Sequence, residues 1–252
     1  MAPHSVLLLH GQPGSARDWA PVQARLDATR TIAIDRPGWD GASRPSDLSG
    51  NADAARAALD RARVDRATVV GHSLGAAVAA MLAIMHPERV EALVLLAPSV
   101  NSDSLYRADY LLANRVLGPV AGAAALATAG LVLSVGPVRR RLAGLLWADE
   151  RYLRAARRSL LAPATWRAFA SDQRALVNEL PDLEARLRKI EAPTTIAGGR
   201  DDRVVPIRAV RRLAAQIPHA ELVVIERTGH LLPQQQPDRV AELICRTAAR
   251  NA

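Results

Sequence analysis

Gly71-His72-Ser73-Leu74-Gly75 is the stretch on which the reading of this chain turns. It follows a short apolar run, Ala67-Thr68-Val69-Val70, and precedes an Ala-rich helical stretch over 76–85. A serine between two glycines at such a junction predicts a tight strand-to-helix turn. The glycines leave room for crowded backbone, and the hydroxyl stands clear at the end of a sheet. The amide of Leu74 then opens a helix N-terminus, where an oxyanion can be held.

A serine hydroxyl is a weak nucleophile until an imidazole accepts its proton. His230, in Thr228-Gly229-His230, follows a strand-like run at 222–225 and falls at the same sheet edge as Ser73. The imidazole needs a carboxylate to orient it. Gly199-Arg200-Asp201-Asp202-Arg203-Val204-Val205-Pro206 follows another strand-like run, 194–197. Asp202 fits Gly-x-x-Asp four residues before Pro206 and is the expected acid, with Asp201 the alternative. The glycine-rich run Leu9-His10-Gly11-Gln12-Pro13-Gly14 follows the first strand. Backbone approach to a tetrahedral oxygen is easiest in such a loop, so the amide of Gln12 is expected to pair with that of Leu74. The Gln12 side chain is a candidate for a polar substrate group. His10 is expected to brace the loop and His72 to pack beside the turn.

Around these residues, strand-like segments (6–9, 31–34, 67–70, 91–96) alternate with helix-like ones (20–28, 53–63, 76–85), a pattern of parallel strands with crossover helices. After residue 100 the pattern changes. From 101 to 189 helical signals dominate, as at 150–161 and 183–190, and Pro119, Pro137, Pro163 and Pro181 are expected to break the region into pieces. Alternation resumes at 194–197, with helices at 207–216 and 237–250 around a strand at 221–225. The expected organisation is a core from 1–100 and 190–252 with a helical insertion at 101–189.

Within the insertion, residues 116–138 carry no charge and are bracketed by Arg115 and Arg139-Arg140-Arg141. The stretch passes the length and charge test for a membrane span, but its prolines and glycines argue against one straight helix. A pair of buried helices is the first expectation. Peripheral membrane contact through 116–141 is the second.

The chain of 252 residues carries a formal charge of +8, nearly all of its cationic side chains being Arg. No nucleic-acid motif or basic patch interleaved with aromatics accompanies that charge, so nucleic acid is not an expected partner. The single cysteine, Cys245, excludes an internal disulfide, fits a reducing compartment and is expected to be buried. The start, Met1-Ala2-Pro3-His4, lacks the basic region of a secretion signal, so a cytoplasmic location is expected. The histidines show no metal-ligand spacing, and neither a metal nor a cofactor is expected.

The order Ser73, Asp202, His230 is one known arrangement of a serine-histidine-acid triad. With His10 to Gly14, Asp35-Arg36-Pro37-Gly38-Trp39-Asp40-Gly41-Ala42-Ser43, His86-Pro87-Glu88-Arg89-Val90, Gly199 to Pro206 and Gly229-His230, the sequence resembles α/β-hydrolase-fold enzymes. The resemblance covers roughly residues 5–100 and 190–250. It implies a mostly parallel sheet flanked by helices, with the insertion as a cap shaping substrate choice. It also implies that 35–43 forms a loop at the site's rim, with Asp35 structural. Many members carry two more strands ahead of the run at 6–9, so a six-stranded sheet or a truncated start is implied. Asp40 stands where members often carry Gly.

Ser73 excludes the relatives whose nucleophile is a carboxylate. The leading expectation is hydrolysis of a carboxylic ester of an apolar small molecule through an acyl-enzyme. Alternatives are a carbon–carbon bond hydrolase, in which Trp and not Leu231 usually follows the histidine, and a cofactor-free perhydrolase. Amide or peptide substrates are a further alternative; the amine of an iminopeptidase substrate would need acidic groups, and no pattern selects among Asp103, Asp109, Asp149 and Glu150. A non-catalytic binding protein or a membrane-associated protein on the same fold is the competing class. The sequence leaves the oligomeric state open.

Overall fold

Aliphatic and β-branched runs suit a pleated surface covered on both faces, and here they form the strands of one sheet. The computed structural model describes residues 4–26, 29–146 and 149–251. The elements run β1 (Ser5–Leu9), α1 (Ala20–Gln23), β2 (Arg30–Ile34), α2 (Leu48–Arg61), β3 (Ala67–His72), α3 (Leu74–Met85), β4 (Val90–Leu96) and α4 (Arg107–Ala113). They continue α5 (Leu117–Val132), α6 (Gly136–Leu146), α7 (Glu150–Leu160), α8 (Pro163–Arg186), β5 (Thr194–Gly199), α9 (Ile207–Gln216), β6 (Glu221–Ile225), α10 (Leu232–Gln235) and α11 (Pro237–Ala248). The strands lie in the order β2-β1-β3-β4-β5-β6, and every pairing is parallel. The expected sheet flanked by helices therefore has six strands. The helix expected at 20–28 is shorter, and Asp27 and Ala28 lie outside the described residues, as do Met1, Ala2 and Pro3.

Strand alternation divides the core. Leu7, Leu9, Val69, Leu93, Leu95 and Ile196 pack on one face with α2, α3, α8 and α9. Val6, Leu8, Val70, Val94, Leu96 and Ala197 pack on the other with Trp19, Val22 and α11. The strand order reverses between β1 and β3, so the chains leaving their C-terminal ends turn apart and open a crevice. Leu9 of β1 is in register with Gly71 of β3. The loop from His10 and the turn at Ser73 thus emerge side by side.

Between β4 and β5 the described residues hold α4 to α8 and no strand. This insertion has a small core of its own, built from Leu126, Leu133, Leu153 and Leu160 with Trp166 and Phe169 against it. Pro119, Pro137 and Pro163 sit in first turns of helices, where a missing N–H costs nothing. Pro181 departs from expectation: it lies inside α8, which runs unbroken from Pro163 to Arg186. Leu176, Leu180 and Leu183 of α8 are buried in the main core, and that packing outweighs the hydrogen bond lost at the proline.

Two further expectations are corrected. Residues 116–138 are not a pair of buried helices: α5 buries only Gly118, Gly122, Leu126 and Gly130, and α6 buries none of its residues. Among the described residues no single helix is long and apolar enough to cross a membrane. Cys245 is exposed, because α11 turns Val240, Ala241, Leu243, Ile244 and Thr247 inward and position 245 falls off that face.

A buried ion pair fastens the insertion to the sheet. Arg36, just after β2, and Asp172 on α8 have side chains each only 1% exposed. They meet through two contacts, Nη2 to Oδ2 at 2.7 Å and Nη1 to Oδ1 at 3.2 Å. Trp39 Nε1 donates to the same Oδ2 at 2.9 Å. Removing one partner strands a charge in a dry interior. Asp172→Ala is expected to lower unfolding stability in urea by about 3–5 kcal/mol. The double variant Arg36→Met/Asp172→Leu is expected to recover part of that loss.

Candidate active site

The turn between β3 and α3 is as tight as its glycines imply. Ser73 has φ 54° and ψ −120°, a region that L-residues rarely enter. A Cβ at Gly71 would fall 2.3 Å from the Gly75 carbonyl oxygen, and one at Gly75 would fall 2.3 Å from that of Leu9. Only glycine fits either place. The turn is held by Ser73 N–H donating to Leu96 O at 2.9 Å, while Ser73 O accepts from Ala76 and Ser99. Ser73 Oγ makes no hydrogen bond among the described residues, and the residue is only 5% exposed.

The loop after β1 lies on this turn. A Cβ at Gly11 would stand 2.9 Å from Ser73 Cβ. The amide of Gln12 donates to no acceptor among the described residues, and that of Leu74 is one of the first-turn amides with no partner within its helix. Both amides are thus without a partner among the described residues, on the two segments that meet at Ser73. Gln12 Oε1 is buried there without a hydrogen-bond partner. His10 braces the loop as expected: its Nδ1–H donates to Gly11 O at 2.7 Å while Nε2 accepts the Arg36 N–H at 3.0 Å.

Arg36 was not singled out from the sequence, yet it organises this loop. Its Nε donates to His10 O at 3.0 Å and its Nη2 to Gly11 O at 3.1 Å, on the same guanidinium that pairs with Asp172. With the carbonyls of residues 10 and 11 held on the Arg36 side, the peptide that follows is fixed against rotation. The partner lies 136 positions away, so local sequence carries no sign of the contact. Asp35, in turn, accepts the Ala16 N–H at 2.7 Å, a structural role. Asp40 closes its own turn by accepting from Ala42 and Ser43.

In the loops after β5 and β6, Asp202 Oδ2 accepts from His230 Nδ1 at 2.9 Å. Asp202 Oδ1 is held by the amides of Val204 and Val205, and the carboxylate is fully buried. Asp201 is exposed, its N–H donates to Thr228 O, and its carboxylate makes no hydrogen bond or ion pair among the described residues. Arg200 pairs with Glu226 and not with Asp201. Neighbouring imidazoles join the two halves of the site. His72 Nε2 donates to the His230 carbonyl at 2.8 Å, and the rings lie 5.0 Å apart. Sequence reasoning gave His72 only a packing role. Its bond to the His230 loop, made from the residue beside Ser73, shows more.

The acidic residues weighed as partners for an amine are already committed. Asp103 pairs with Arg212 and Glu150 with Arg139. Asp109 and Asp149 cap the starts of α4 and α7. No group of three or more His, Cys, Asp or Glu side chains is placed to hold a metal among the described residues.

Burial decides the charge of the two supporting histidines. It pushes His72 down to about 3, the neighbouring His230 adding to the effect. It also holds His10 well below the usual imidazole range, with the Arg36 guanidinium acting the same way. Both rings are therefore neutral at neutral pH. Below about pH 6.5 the unfolded chain binds protons that the folded chain refuses, so their contribution to stability falls as pH falls. Asp18, pushed up by burial to about 6, works in the opposite direction as pH drops below 6. Comparing His72→Gln with the parent isolates one group. Between pH 7 and 5 the parent is expected to lose about 2 kcal/mol more unfolding free energy than the variant, read from urea titrations.

Comparison with known proteins gives the family. The sequence profile of the alpha/beta hydrolase family matches residues 6–243. The chain is 30% identical to a 2-hydroxy-6-oxononadienedioate/2-hydroxy-6-oxononatrienedioate hydrolase of Paraburkholderia phymatum, covering 95% of this chain and 85% of that one. It is 32% identical to a 2-hydroxymuconate semialdehyde hydrolase of Pseudomonas putida, with 94% and 84% covered. A solved meta-cleavage product hydrolase from Pseudomonas fluorescens superposes with a TM-score of 0.76 at 22% identity, over 99% of this chain and 92% of that one. The chain is a hydrolase and belongs to the alpha/beta hydrolase family.

Proposed function

We propose that this chain hydrolyses a carbon–carbon bond beside a ketone in a small conjugated hydroxy-oxo acid, using Ser73, His230 and Asp202. The observation that carries this reading is the near-full-length likeness to hydrolases named for 2-hydroxy-oxo acids and semialdehydes. Two features of the chain support it. Gln12 Oε1, buried and unpartnered at the oxyanion loop, suits a substrate hydroxyl as donor. The formal charge of +8 draws an anionic acid toward the protein.

In this reading Ser73 Oγ adds to the ketone carbon as its proton passes to His230 Nε2. Asp202 holds the opposite nitrogen protonated and stabilises the imidazolium. The amides of Gln12 and Leu74 receive the oxyanion. Collapse of the adduct breaks the carbon–carbon bond. The 2-hydroxy-diene first tautomerises to the 2-oxo-ene, its enol proton moving to the carbon beside the ketone, so the electron pair released there is delocalised through the enone, and His230 returns a proton to it. Water, activated by the same imidazole, then releases the acyl group from Ser73. Conjugation is what makes a carbon leaving group tolerable, so a saturated ketone is not a substrate.

Hydrolysis of an ester, the leading expectation from the sequence, is the second reading. The observation that favours it is Leu231 after His230, where carbon–carbon hydrolases usually carry Trp. Both readings share the acyl-enzyme and differ in the group that leaves.

The test offers the purified chain a 2-hydroxy-6-oxo-dienoate, followed by loss of its absorbance, beside p-nitrophenyl esters of short and medium acids. Cleavage of the dienoate at the higher kcat/KM supports the proposal. Ester turnover with no decay of the dienoate overturns it. Ser73→Ala is expected to abolish fluorophosphonate labelling and lower turnover by ~10³-fold or more. His72→Ala is expected to lower kcat by ~10–10²-fold with KM little changed, and His72→Gln, which keeps a donor for the His230 carbonyl, to restore much of it.

A further inference from the structure

The insertion presents its apolar side chains the wrong way round for a covered helix. On α5 the buried positions are Gly118, Gly122, Leu126 and Gly130, which repeat every fourth residue. The glycines allow close approach: a Cβ at Gly118 would sit 2.1 Å from Leu112 O, and one at Gly130 would sit 2.8 Å from the Leu161 side chain. The large aliphatic residues fall on the other side. Leu117, Val120, Leu131 and Val135 recur at helical spacing through and just beyond α5, each more than half exposed, and Val120 is 71% exposed. At one end, α4 and α5 meet at a bend of 113°, with Val116 at the vertex 77% exposed and Tyr110 and Leu111 exposed beside it. Soluble proteins seldom leave such an apolar stripe uncovered unless something binds it.

The charges around the stripe say what binds. From residue 110 to 148 the sequence has no acidic residue and four arginines. Arg139 is paired with Glu150 and Arg115 lines a cleft with Asp47 and Glu179, while Arg140 and Arg141 are exposed and make no ion pair among the described residues. Asp109, the acidic residue at the near end, is engaged in capping α4. We infer that α5 and the α4–α5 bend form a docking surface for an anionic lipid bilayer. The aliphatic stripe enters the boundary between headgroups and acyl chains, and the guanidiniums of Arg140 and Arg141 meet lipid phosphates. With 16 residues α5 is shorter than the roughly 20 that span a bilayer, so it lies along the surface. A second copy of the chain is a poorer occupant. Pairing the stripe with itself would bring the arginines of two copies toward one another.

The test sediments the full chain with phosphatidylcholine vesicles, with and without phosphatidylglycerol, at low and high salt. The chain is expected to partition onto the phosphatidylglycerol vesicles and to come off as salt rises. Val120→Asp/Leu131→Asp and Arg140→Glu/Arg141→Glu are each expected to weaken that partitioning at least ~tenfold. Both variants should keep the parent's thermal midpoint and its fluorophosphonate labelling at Ser73, since the altered side chains are exposed and outside the active site. No partitioning, equal partitioning onto phosphatidylcholine alone, or indifference to both variants overturns the inference. So does a dimer in sedimentation velocity that Val120→Asp/Leu131→Asp dissolves, which would give the stripe to a second copy.

Discussion

The backbone at Ser73 is the constraint on which the site depends. Holding a non-glycine residue at φ 54° and ψ −120° costs on the order of 1–3 kcal/mol and persists only where the surroundings enforce it. Here they do. The flanking glycines stand where no Cβ fits, and three backbone hydrogen bonds hold the serine between β4 and α3. The result is a hydroxyl lifted off the end of β3 and a helix N-terminus directly behind it. The parallel sheet then brings the other parts, because the loops after β1, β5 and β6 leave by the same edge. The strand order reverses between β1 and β3, beside the turn that carries the hydroxyl.

Polar side chains in dry surroundings set the finer geometry. Arg36 links the carbonyls of His10 and Gly11 to Asp172 on α8, so the loop after β1 and that helix share one guanidinium. A buried pair of this kind gives little net stability compared with apolar packing, but it tolerates only one arrangement. His72 acts similarly from the other side, its neutral ring holding the His230 carbonyl. Gln235 extends that support, accepting the Gly229 N–H at 2.8 Å and donating to Leu146 O of α6 at 2.7 Å. The helices between β4 and β5 are therefore tied to both the loop after β1 and the loop that carries His230.

The insertion itself follows other rules. Its helices pack through glycines and a few leucines, leaving larger aliphatic groups outside. Hydropathy sums over 116–138 are the same whether the large groups face in or out. Reading that stretch as buried failed because the glycine positions, not the overall apolarity, determined which side approached its neighbours. Pro181 is a similar case: the leucines that bury the second half of α8 in the main core keep the helix intact through a residue that usually ends one.

The sequence by itself determined the parallel sheet, the strand-to-helix turn and the order of Ser73, Asp202 and His230. Each of these is written in local pattern: apolar alternation, glycine spacing, and short loops after strands. The choice between Asp201 and Asp202 was weighted by the spacing to Pro206, but the contact of Asp202 with His230 is a property of the folded chain. Only the tertiary structure decided the roles of Arg36, Asp172 and His72, and which face of α5 meets solvent. Those features join residues far apart in the chain, or depend on which side of a helix a neighbour covers. A single sequence has no local period that records either.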